Sequence, residues 1–183
     1  MTENEVIIAL KAEIENQLAL AGVTSFEVSR SAQPTDQFTG ASVDSTVKTQ
    51  VFLRPISPSE NYNLSPGRKY SNTDPEVTYS HNKSMTIQID VLTDFDYTDI
   101  NALSAFDLCE TVSQTLFEGD AIRALRDSGV RIQSKTDTRP AFPVLDKDRF
   151  ESSPNFDLVV TYTTDRTKTF AEVTTVNDDI ERV

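Results

Sequence analysis

The sequence predicts an α+β fold, a mostly antiparallel β-sheet packed by an N-terminal helix and a central helix pair. Three observations lead there. Helical periodicity opens the chain and returns near its middle. Period-two alternation marks strand segments grouped before and after that middle. The spacing lacks the regular strand–helix alternation of a doubly wound fold.

The first element is an amphipathic helix. Ile7, Leu10, Ile14, Leu18 and Ala21 recur at steps of three and four. Thr2, with Glu5 three residues on, predicts a capping box, and Gly22 sits where a left-handed C-terminal cap belongs. A short strand follows over 25–31, with Phe26 and Val28 on one face. Residues 32–45 are polar, contain Pro34 and Gly40, and read as a loop. Val47, Thr49, Val51 and Leu53 then alternate with Lys48, Gln50, Phe52 and Arg54, which predicts a strand stopped by Pro55 and Pro58.

Residues 55–75 hold four prolines and one glycine, too long and too broken for an ordinary connection. They read either as a surface loop or as an arm that orders on a neighbouring subunit. Residues 76–93 form the longest strand, with Met85, Ile87, Ile89 and Val91 on one face. Its length suggests that it projects beyond the core, with 55–84 as a loop or hairpin insert.

The second helical region starts at Thr98 or Asp99, either of which can cap it, with Leu103, Phe106, Cys109, Val112 and Leu116 as its apolar stripe. After Gly119, Asp120 reads as the cap of a short helix that contains Ile122 and Leu125 and ends at Gly129. Val130–Ser134 is a short strand, and 136–154 is irregular and punctuated by proline. Phe156, Leu158, Val160 and Tyr162 alternate with Asp157, Val159, Thr161 and Thr163 in a final strand. The chain thus divides into one domain over 1–164 and a polar, Thr-rich arm over 165–183. Phe170, Val173, Val176 and Ile180 in that arm suggest docking onto something.

Composition removes several classes of function. Apolar residues make up 37% of the 183, lean for a compact domain but too many for a disordered chain. No stretch approaches the roughly 20 apolar residues of a membrane span. The acidic start, Met1 to Glu5, lacks the basic opening of a secretory signal. Seventeen Lys and Arg against 29 Asp and Glu give a formal charge of −12, which argues against tight wrapping of DNA.

Catalytic chemistry is poorly supplied. His81 and Cys109 are the only histidine and cysteine, so there is no internal disulfide, Cys-rich zinc site or His-based metal centre. Cys109 lies on an apolar stripe, where it reads as a small buried hydrophobe rather than a nucleophile. The five glycines form no phosphate-cradling loop. The densest charge cluster, Asp146-Lys147-Asp148-Arg149-Phe150-Glu151, offers three carboxylates that suit Mg²⁺ or Ca²⁺. Its interleaved cations make ion pairs the more economical reading, so no metal and no cofactor is expected.

Residues 104–164 resemble the phage neck or tail terminator family. The likeness is carried by SAFDLCETVSQTLFEGDAIRALRDSGVRI and by DTRPAFPVLDKDRFESSPNFDLVVTY. Within them, Asp120-Ala121-Ile122, Gly129-Val130, Asp137-x-Arg139 and Asp148-Arg149-Phe150-Glu151-x-Ser153-Pro154-x-Phe156-Asp157 occupy the family's positions. The resemblance implies a small, non-enzymatic α+β virion subunit in the phage neck, assembled in the host cytoplasm. Six copies would form a ring that caps the tail tube, ends its polymerisation and offers a surface to the head connector. The implied partners are other copies, the tail tube protein, the head–tail connector proteins and, as a further candidate, the tail sheath. DNA would pass through the lumen without specific binding, and no membrane is involved. A head-completion or stopper protein on the portal side is the alternative. Arg139, Arg149 and Phe150 are the expected anchors near the ring interface, with Arg149 pairing to a carboxylate of its own chain or of its neighbour.

Overall fold

The computed structural model describes residues 1–30, 49–57, 60–61, 67–70, 76–93, 103–140, 144–146, 149–151 and 153–169. The loop expected over 32–45 lies outside them.

Helix α1 spans Glu3–Leu20. Its capping box forms as expected: the Glu5 N–H donates to the Thr2 hydroxyl (3.3 Å) and the Thr2 N–H to Glu5 Oε2 (2.7 Å). At the other end Gly22 adopts φ +77°, where a side chain would be strained. The Gly22 N–H reaches Ala19 O at 3.1 Å and the Val23 N–H reaches Leu18 O at 3.0 Å, closing the last carbonyls. Val6, Ile7, Leu10, Ile14 and Leu18 are buried, whereas Ala21 is exposed beyond the last turn. Glu13 and Gln17 are buried with them, and Gln17 Nε2 donates to Glu13 Oε1 at 2.8 Å. That mutual bond lets two polar side chains one turn apart share the buried face.

The sheet runs β1(Phe26–Arg30), β2(Thr49–Pro55), β5(Glu76–Thr93), β9(Asn155–Thr169), β6(Val130–Lys135) in spatial order. Only β1 with β2 is parallel; β2–β5, β5–β9 and β6–β9 are antiparallel. The alternation predicts the faces correctly. Val51 and Leu53, then Met85, Ile87, Ile89 and Val91, then Phe156, Leu158 and Val160 are all buried. These side chains meet Leu10, Ile14 and Leu18 of α1 and the apolar faces of the central helices in one continuous core.

Three expectations change. Helix α2 spans Ala105–Thr115 and is capped by Ser104, while Thr98 and Asp99 lie outside the described residues. Ser104 wins because Asp107 stands three residues on: the Asp107 N–H donates to Ser104 Oγ (3.1 Å), and Ser104 Oγ donates to Asp107 Oδ2 (2.7 Å). Those bonds hold the Asp107 carboxyl below its usual range. The buried stripe is accordingly Leu108, Cys109, Val112 and Leu116, leaving Leu103 and Phe106 exposed. Asp120 lies in the first turn of α3(Gly119–Asp127), and Glu118 occupies the cap position without a side-chain bond. Asp120 then favours the helix through its charge near the N-terminal dipole rather than as a cap. Gly129, at φ +85°, ends α3 as expected.

The third change concerns 136–154, read as irregular, and details of 55–84, read as a loop or hairpin insert. β3(Glu60–Asn61) and β4(Gly67–Tyr70) pair with β5, and β7(Val144–Asp146) pairs with β8(Arg149–Glu151). They are too short to show alternation, and β3 and β4 take their register from a long neighbour. β9 continues to Thr169, so residues 165–169 of the expected arm belong to the sheet; 170–183 lie outside the described residues. β6 carries a bulge at Gln133, between Ile132 and Ser134. Lys135 fastens its end to α2, with Nζ 2.6 Å from Ser113 Oγ and 5.1 Å from the Phe117 ring centre.

Candidate interface surfaces

Strand alternation sends Arg54, Gln88, Asp90 and Asp157 to the sheet face opposite the core residues. Arg54 lies opposite Gln88, and Gln88 opposite Asp157, while Asp90 stands one rung along. On this face Arg54 Nη2 contacts Asp90 Oδ2 at 2.9 Å. Beside them Arg139 Nη2 contacts Asp157 Oδ2 at 2.7 Å. Arg139 is held there by the chain that continues β6 along β9: its N–H donates to Asn155 O at 2.8 Å, and the Asn155 N–H returns the bond at 3.0 Å.

The two ion pairs differ in setting. Asp90 is only 5% exposed, whereas the Arg139 side chain is half exposed. Burial pushes the Asp90 carboxyl above its ordinary value; Arg54 opposes the rise, Asp157 adds to it and Arg139 opposes it. Among the described residues Arg54 Nε and Asp157 Oδ1 are buried without a hydrogen-bond partner. The cluster is therefore charge-balanced but incompletely bonded, with little room for a change of one charge.

The expected anchors are placed unequally. Arg139 belongs to this cluster and pairs with Asp157 of its own chain. Arg149 and Phe150 lie on β8, opposite Asp146 and Leu145 in register. Their side chains fall outside the described residues. Sequence reasoning missed Arg54, Asp90 and Asp157, although Asp90, a charge after the uncharged Thr86 and Gln88 on the same face of the strand, was a usable signal.

A second surface is the far half of the β5–β9 ladder. The pairing runs from Asp90↔Asn155 out to Glu76↔Thr169. Its inner half packs on the helices. Its outer half, beyond Lys83↔Tyr162, carries Ser, Thr, Asn, Tyr79, His81 and charged residues that are half-buried or exposed, with Val77 the buried exception. Thr78 meets Thr167 at 3.0 Å and Thr163 meets Asn82 at 2.9 Å, cross-strand bonds that stiffen the ladder.

Among the described residues Cys109 and His81 do not come together. Cys109 is fully buried, and desolvation, with help from Asp90 and Glu110, pushes its thiol up to about 12. His81 sits eight residues along β5 from Ile89, about 27 Å away, and four residues beyond Met85, the nearest core residue of that strand. The two cannot form a dyad. Among the described residues no group of three His, Cys, Asp or Glu comes together around a cation position, and Lys147 and Asp148 of the 146–151 run lie outside them. No helix among the described residues is long and apolar enough to cross a membrane.

The family model described as E217 gateway protein gp29 matches residues 5–172, which takes in every strand and helix from α1 to β9. The chain belongs to that family. It is a phage head–tail gateway family, so the resemblance read over 104–164 holds at the level of a phage neck or connector protein and extends over nearly the whole chain. No curated protein matches the sequence.

Proposed function

We propose that copies of this gateway-family chain form a closed six-fold ring in the phage neck. The ring caps the head-proximal end of the tail tube, ends its polymerisation and presents the attachment surface for the head connector. A closed ring requires one surface of each copy to meet a different surface of the next. The observation that carries this reading is the outer β5–β9 ladder. It is fifteen paired positions long, yet only its inner half serves the monomer's core. The outer half is a stiff, polar platform suited to a neighbouring subunit.

Exposed Leu103 (51%) and Phe106 (41%) at the start of α2 add apolar contact surface. Arg139, Arg149 and Phe150 stand as anchors at the subunit boundary, and Arg149→Ala weakens assembly more than folding. The net charge of −12 suits a passage that repels phosphate and lets DNA move without being held. The tube protein, the connector proteins and, in a contractile tail, the sheath are the neighbours this ring meets. The role needs interfaces rather than a catalytic centre.

Electron microscopy of particles assembled without this chain tests the assignment. Overlong or irregular tails unattached to full heads are expected. Tails of normal length beside full, unjoined heads would move the protein to the portal side, as a stopper.

A further inference from the structure

A groove of about 620 Å³ lies between α1, the end of α3, the start of β6 and the β9 edge at Thr163. Ile8, Ala9 and Ala12 of α1 form an apolar floor, and Ile8 is 57% exposed there. Arg126 and Arg131 stand on the opposite wall. Neither side chain has an ion-pair or hydrogen-bond partner among the described residues. Glu5 also lines the groove and contributes one carboxylate, whose Oε2 accepts from the Thr2 N–H at 2.7 Å. Among the described residues two arginines thus face one carboxylate, a net positive groove in a chain with 29 Asp and Glu against 17 Lys and Arg. The surface fits a segment that is both acidic and apolar.

We propose that this groove receives residues 176–181 of a neighbouring copy of this chain. That segment reads Val-Asn-Asp-Asp-Ile-Glu and holds three carboxylates with no Lys or Arg. Val176 and Ile180, four residues apart, share a face in either a strand or a helix, which suits the Ile8–Ala9–Ala12 floor. Asp178, Asp179 and Glu181 offer carboxylates to Arg126 and Arg131.

Reach and turn chemistry favour a neighbour over the chain's own groove. From Thr163 to Thr169 the strand travels about 20 Å, and the seven residues to Val176 can reach at most about 24 Å further. The total is close to the diameter of a domain of this size, about 40 Å, and so to the spacing of adjacent copies in a ring. A return to the chain's own groove needs a tight reversal just past Thr169. Residues 167–176 contain no Gly, Pro, Asn or Asp to make one. The inference rests on the reading that copies assemble side by side, and not on which structure the ring caps.

Disulfide trapping in assembled particles tests it. Ile8→Cys is placed in the groove and Ile180→Cys in the segment, in a chain whose native Cys109 is fully buried. After mild oxidation, a non-reducing denaturing gel should show dimers and higher multimers. Arg126→Glu with Arg131→Glu should cut their yield at least tenfold, and adding Asp178→Arg with Asp179→Arg should restore it. A cross-linked product that runs only as monomer would overturn the proposal by placing the segment in its own groove. So would particles that contain the chain and show no cross-link. Particles that lack the chain altogether would instead remove the ring on which the proposal rests.

Discussion

Replacing Arg54 with methionine tests whether the charged cluster behind the sheet is as sensitive as its geometry implies. Arg54 and Asp90 meet at 2.9 Å, with Asp90 buried and the Arg54 side chain 25% exposed. Two unit charges about 4 Å apart attract by about 4 kcal/mol at an effective dielectric constant of 20. Removing Arg54 forfeits that attraction and leaves Asp90 buried without its main counter-charge. Loss of one partner from a buried pair costs about 3–5 kcal/mol, and the partial exposure of Arg54 places this site near the lower end, about 3 kcal/mol.

The loss carries a pH signature. Asp90's carboxyl is held above its ordinary value in the folded state, because burial outweighs Arg54. The folded state therefore binds this proton more tightly than the unfolded state. The stability tied to it is complete below the unfolded value and falls as pH rises through the folded value. Arg54→Met raises the folded value further, so its deficit widens from pH 4 toward pH 7, by at most about 1.4 kcal/mol per pH unit. Urea denaturation followed by circular dichroism across that range measures it. Arg54→Met combined with Asp90→Leu should recover to within about 1 kcal/mol of wild type. A deficit unchanged between pH 4.5 and 7.5, or a double variant as unstable as the single, would refute the electrostatic account.

Three further outcomes follow from the packing. Phe156→Ala removes a fully buried ring at the centre of the sheet and should cost about 3–5 kcal/mol by the same denaturation assay. Gly129→Ala should cost about 1–2 kcal/mol and Gly129→Asn less, because φ +85° strains a Cβ while the nearest atom, Met1 Sδ, lies at an ordinary 3.6 Å. The Cys109 thiol, pushed up to about 12, leaves on the order of one thiolate in ten thousand at pH 8. Ellman's reagent should react with it only on unfolding, and rapid labelling of the folded chain would show that α2 is packed differently.

The long elements were legible because each repeats its pattern several times. α1 shows its stripe over five turns with signals at both ends, and β5 and β9 alternate over enough residues to separate their faces. The α2 stripe was read correctly at Cys109, Val112 and Leu116, but Leu108 was missed and Leu103 and Phe106 were wrongly included. Three polar candidates preceded it, and only the Ser104–Asp107 bonds chose among them. β3, β4, β7 and β8 span two to four residues, less than an alternation pattern needs. The charged cluster and the groove were the least legible parts. Arg139 could be singled out by its place in a motif, but its partner Asp157 and the neighbouring Arg54–Asp90 pair come from three different strands. The groove arginines, Arg126 and Arg131, meet the α1 floor only once α1 packs beside α3 and β6. Such groupings depend on register and packing, which local periodicity does not encode.

Cryo-electron microscopy of the intact neck tests the central claim most directly. This fold should appear as six copies in one ring at the head-proximal end of the tail tube, with the outer β5–β9 ladder of each copy against its neighbour. A ring of different order seated on the portal, or a neck without this fold, would contradict the account.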